Sequence, residues 1–73
     1  MRAHLEDEFR AFAAAAMPRL RRLALASCRD PHRADDLVQV TLEKMYAAWP
    51  RVHGVASPHA YARTVLVLSL IHI

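Results

Sequence analysis

At 73 residues the chain has room for one domain, and a chain this short buries only about 60% of the surface its unfolded form exposes, so its core must be small. An apolar share of 55%, one Gly and an abundance of Ala, Leu and Arg, with few strand-favouring residues except near the end, exclude a sheet-built protein and predict an all-α one. The net charge of +3 and pI near 9.8 suit an anionic partner such as nucleic acid, although such an excess also occurs on surfaces that bind nothing.

The first segment, "HLEDEFRAFAAAAMPRLRRLALASC", repeats apolar residues at Leu5, Phe9, Phe12, Ala16, Leu20 and Leu23, spacings of three and four that mark the buried stripe of a helix. Pro18 lacks a backbone donor and disfavours helical geometry in Met17, which predicts a break there: a short first helix, then a second over about 18–28. Arg19, Arg21, Arg22 and Arg29 decorate the second piece. They read either as a solvated face or as contacts to phosphate or protein. Asp30 then Pro31 is a cap followed by a residue suited to the first helical position, which predicts a helix over 31–48 that ends at Trp49 and Pro50. "RVHGVASP" is a loop with the only glycine, Gly54. Ser57 then Pro58 repeats the cap signal and opens a last helix with Tyr61, Val65 and Leu68 along one side. The expectation is a compact bundle of three to four helices.

Cys28 is the only cysteine, so an internal disulfide is excluded. The N-terminal "MRAHLEDEFRAF" carries acids where a signal peptide needs an apolar core, and the expected location is the cytoplasm. The longest apolar run, 65–73, falls short of the roughly 20 residues of a membrane span. Cys28 and His32, even with His4, His53, His59 and His72, offer no ligand pairs at finger-like spacing, so no metal and no cofactor is expected. No phosphate loop, nucleophile elbow or catalytic carboxylate pair is visible, since the adjacent Asp35 and Asp36 diverge on a helix. Enzymatic activity is not expected.

On a helical wheel, Ala34, Leu37, Val38, Thr41, Leu42, Met45 and Trp49 fall on one side, and Asp35, Asp36, Gln39 and Glu43 fall on the other with Lys44 at its edge. An acidic and amide face is usually solvated surface. In a basic chain it can equally meet an Arg-rich protein while other faces meet phosphate.

The stretch "RLRRLALASCRDPHRADDLVQVTLEKMYAAWPRV" followed by "SPHAYARTVLV" resembles region 2 of bacterial extracytoplasmic-function sigma factors of the sigma-70 superfamily, over roughly residues 5–67. Its most specific part is Ala34 to Gln39, then Tyr46 and Trp49. The resemblance implies a region 2 helical bundle over residues 1–67 that binds the clamp coiled coil of the largest subunit of RNA polymerase core and recognises and melts the promoter −10 element. Asp36 and Gln39 would make the polar contacts to polymerase, with Asp35, Leu37 and Glu43 as neighbours. Such contacts are chemically apt, since a carboxylate facing Arg forms a charge-assisted hydrogen bond and an amide donates and accepts at once. Val40 departs from the pattern, where an acid is common, implying a slightly weaker docking face.

The resemblance further implies that non-template promoter bases are held by the loop after Trp49 and the next helix: Arg51, His53 and Ser57, then His59, Tyr61, Arg63 and Thr64. After Glu43 the sequence has no acidic residue, which fits an anion-facing end, and base stacking on an aromatic is worth about 1–3 kcal/mol in single-strand sites. Trp49 and Tyr61 read as core residues rather than stacking platforms. An anti-sigma factor is a further partner that the resemblance admits. The alternative function is a small helical interaction module with no DNA role, whose acidic face binds a basic partner.

The terminal "LSLIHI" resembles a translated transposon-adapter end used in sequencing libraries. It predicts that residues 68–73 are non-native, and the region 4 DNA-binding domain of a full sigma factor is expected to be absent here. "VLVLSLIHI" is also uncharged and β-prone, which predicts self-association.

Overall fold

The computed structural model describes residues 2–72, so Met1 and Ile73, the two ends of the expected domain and tail, lie outside the described residues. Three helices follow in order: α1 (Ala3–Ser27), α2 (Pro31–Val52) and α3 (Pro58–His72). Among the described residues there is no strand. The extents are 37 × 19 × 19 Å, and the long axis matches the ~37 Å that the 25 residues of α1 span at 1.5 Å per residue. Helix α2 packs against both others, while α1 and α3 touch less.

The capping signals form as read. The Asp30 carboxylate accepts from the backbone N–H of His32 at 2.9 Å with Pro31 in the first turn of α2, and Ser57 Oγ accepts from the N–H of Ala60 at 3.1 Å at the start of α3. These bonds satisfy donors that have no partner inside the helix.

The expected break at Pro18 does not occur; α1 is one helix with Pro18 inside it. Pro18 is solvent-exposed, so the carbonyl it leaves unbonded can meet water. Phe12, Ala16, Leu20 and Ala24 are all buried and keep the helix in register on both sides of the proline. Helix α2 likewise runs through Pro50 to Val52. Trp49 and Val52 are both buried and hold that turn helical, and the N–H of His53 still reaches the carbonyl of Trp49 at 2.9 Å.

The wheel of α2 is realised: Ala34, Leu37, Val38, Thr41, Met45, Ala48, Trp49 and Val52 are buried, and Leu42 is half-buried against them. Thr41 is satisfied by donating its hydroxyl to the Leu37 carbonyl at 2.7 Å. The aromatic heart of the bundle joins all three helices, with the ring of Trp49 centred 4.9 Å from Phe12 and 5.4 Å from Phe9, and His59 4.8 Å from Phe12. Trp49 is therefore core, as expected.

Tyr61, expected in the core, does not lie on the inner side of α3. Ala62, Leu66 and Ser69 are its buried residues, while Val65 is half-buried and Tyr61 and Leu68 are exposed. Small residues at 62 and 69 let α3 approach closely, and that rotates Tyr61 to the flank. The β-prone end is helical to His72, because it continues a capped helix and packs Leu66 and Leu70 on the core. Buried Ser69 accepts a hydrogen bond from Lys44 Nζ at 2.9 Å.

Candidate functional site

The polar face of α2 lies beside a groove of about 680 Å³ between α1 and α2. Phe9 and Met17 from α1 and Val38 and Leu42 from α2 supply apolar walls, and Arg21, Asp35, Gln39, Glu43 and Tyr46 form its rim. Asp35, Asp36, Gln39 and Glu43 are all exposed. Leu37 is the exception among the five expected docking residues: it has no exposed surface, because its place on the wheel is the core side. It can support the face from beneath but cannot touch a partner there.

The carboxylate of Asp35 is already engaged. Arg21 Nη1 lies 2.6 Å from its Oδ1, with both side chains about half exposed at 51%. An ion pair this open contributes little, about 0–1 kcal/mol, and can be exchanged for a partner's guanidinium. Among the described residues Asp36, Gln39 and Glu43 make no side-chain hydrogen bond or ion pair. These three have their full bonding capacity available.

At the far end of the groove Tyr46 donates its hydroxyl to Glu6 Oε1 at 2.8 Å. That bond raises the phenol above its ordinary value, helped by burial and by the Glu6 charge and opposed by Arg10. Phe9 meets the Tyr46 ring edge-on at 5.1 Å. The α1 wall of the groove was not anticipated from sequence. Its signal lies in Met17 and Arg21, four residues apart and flanking the buried stripe.

The seven residues expected to hold a promoter strand do not form one cluster. Arg51 and Tyr61 line a groove between α2 and α3 together with Lys44 and His72. His59 and Arg63 line a different groove, between α1 and α3. Thr64 is exposed on the outer side of α3 and its hydroxyl is turned back to the carbonyl of Ala60 at 3.2 Å. Ser57 is spent on its cap. Tyr61, expected in the core, is exposed and free to stack. His53 is exposed but lies beside an acid, its Nδ1 3.5 Å from Glu8 Oε2 of α1, an ion pair when the imidazole is protonated. The acid-free end of the sequence is thus not acid-free in space, since α1 brings Glu8 to it.

Among the described residues no three His, Cys, Asp or Glu side chains gather where they could hold a metal ion, and no helix is long and apolar enough to cross a membrane.

A family model described as sigma-70 region 2 matches residues 7–72, which takes in all of α2 and α3 and all but the first turn of α1. No curated protein and no solved structure matches the chain. The three-helix architecture, the exposed acidic and amide face of α2 and a family match over nearly every residue agree, and the chain belongs to the sigma-70 region 2 family.

Proposed function

We propose that the chain is a region 2 domain of the extracytoplasmic-function type, which docks on the clamp coiled coil of the largest RNA polymerase subunit through Asp36, Gln39 and Glu43 and holds the non-template strand of the −10 element on α3. The observation that carries the docking half is the exposed polar face of α2, with Asp36, Gln39 and Glu43 unpaired among the described residues, set beside a groove with apolar walls. Asp36 supplies the charge, Gln39 the mixed donor and acceptor, and the groove receives an apolar side chain of the partner. Asp35 joins by exchanging Arg21 for a partner's Arg. On the DNA side, Arg51 and Arg63 supply charge and Tyr61 a stacking surface, with His59 beside Arg63, Thr64 on the outer side of α3, and His53 and Ser57 in the segment that leads into it. The family is not an enzyme family and no catalytic step is assigned. The cytoplasm is the compartment in which such a domain would meet polymerase, and an anti-sigma factor would compete for the same face of α2.

The test is the affinity of the fluorescently labelled chain for purified core polymerase. Asp36→Arg should weaken binding about 30-fold or more, since truncating one partner of a buried charge pair costs about 2–5 kcal/mol and each ~1.4 kcal/mol is tenfold. Core that ignores the wild-type chain, or that binds Asp36→Arg and Gln39→Ala as tightly as wild type, contradicts the proposal and favours an interaction module with another partner.

The proposal extends to the chain end: residues 68–73 are a non-native tail on a 1–67 domain. Sequencing the encoding DNA tests this. Adapter sequence after the codon for Val67 supports it, and ordinary genomic sequence running through the stop contradicts it.

A further inference from the structure

The two grooves flanking α3 carry different chemistry, and one holds a residue outside the promoter-strand reading. The groove between α1 and α3, about 290 Å³, brings Arg19 of α1 alongside His59 and Arg63 of α3 over a floor of Ala16, Leu20 and Ala62. Among the described residues no acidic side chain lines it, and neither arginine has an ion-pair partner. Arg19 and Arg63 are exposed, while His59 is half-buried with its ring against Phe12. Two cations that line one groove from separate helices without a counter-charge repel each other, and an anion bound between them reverses that repulsion. A guanidinium pair matches phosphate geometry, because each fork presents paired donors to two oxygens.

Between this groove and the one holding Arg51 and Tyr61, the first turns of α3 present a low ridge of Ala60 and Thr64, both exposed, with the exposed Val67 and Ile71 further along the same side. An extended strand can cross such a ridge without meeting a bulky side chain. We propose that Arg19, with Arg63 and His59, forms a phosphate-holding notch for a single DNA strand that crosses α3 from the Arg51 and Tyr61 side. The notch takes backbone rather than base, so it adds affinity without sequence preference. The inference rests on the reading of α3 as the promoter-strand surface and extends that surface onto α1.

The test is fluorescence anisotropy of the 73-residue chain with a labelled short single-stranded oligonucleotide over a range of salt concentrations. Arg19→Gln should weaken binding about tenfold and reduce the slope of log affinity against log salt by about 0.7, the loss of one phosphate contact on a single strand. Arg19→Lys should keep the slope, and circular dichroism should show both variants folded. If Arg19→Gln binds like wild type while Arg51→Gln is weakened, the notch is wrong and the promoter-strand reading stands. If the wild-type chain binds no single strand, both fail. Inorganic phosphate at fixed ionic strength that displaces the strand completely would show a free-anion site instead and also overturn the notch.

Discussion

Trp49 is buried in the aromatic heart, its ring against both Phe9 and Phe12 of α1. Truncation to Ala removes about 3–5 kcal/mol, comparable to everything a core of this size supplies. Trp49→Ala should therefore be unfolded by circular dichroism at room temperature. The indole Nε1 is buried without a partner, and an unmet donor costs about 1–3 kcal/mol. Trp49→Phe removes that donor while keeping a ring, so it should stay folded and melt close to wild type. A loss as large as for Ala would show that the indole is needed whole.

Tyr46 gives a pH signature at the same scale. Its phenol is raised in the folded chain, first by the bond to Glu6, so the fold favours the protonated form. The stabilisation is present below the ordinary phenol range and is lost as pH rises through the folded value, where phenolate and Glu6 repel. In an ultraviolet titration Tyr46 should ionise above the ordinary phenol range, and Glu6→Gln should bring it back toward that range.

At the scale of the elements, the caps and the wheel of α2 were legible because they depend on neighbours within a turn or two: Asp30 with His32, Ser57 with Ala60, and the apolar spacing of α2. Pro18 was misread because proline was weighed as a local breaker, while the stripe from Phe12 to Ala24 runs through it without a change of phase. That unbroken phase was the available signal for a single helix. Replacing Pro18 by Ala should then restore a helical hydrogen bond and stabilise the chain by about 1–3 kcal/mol in thermal melts. A chain kinked open at Pro18 would gain nothing or lose a little through a freer unfolded state. The pairings Arg21 with Asp35 and Lys44 with Ser69 join different helices, and Glu8 of α1 pairs with His53 at the end of α2. No spacing within one helix encodes them, so the engagement of Asp35 and the acid beside His53 could not be read. Tyr61 escaped for a related reason, since the small residues Ala62 and Ser69, rather than the aromatic, set how α3 sits.

For the molecule as a whole, the core is limited and the surface uneven. Val67, Leu68 and Ile71 stand exposed on the last turns of α3, Ile71 at 71%, on a helix end with no charged Asp, Glu, Lys or Arg after Arg63. Sedimentation should show self-association that rises with concentration, and a clean monomer at high concentration would count against it. Asp35, Asp36 and Glu43 lie on the polar face of α2, and Arg19, Arg51 and Arg63 line the two grooves beside α3, so under the proposed function the bundle turns one side to protein and another to nucleic acid. The docking side is the central claim, and a photo-crosslinker tests it by position. With benzoylphenylalanine at Gln39 and, in a second variant, at Val67, irradiation with core polymerase should give an adduct to the largest subunit from position 39 and none from position 67. An adduct from 67 alone, or adducts from neither, would contradict it.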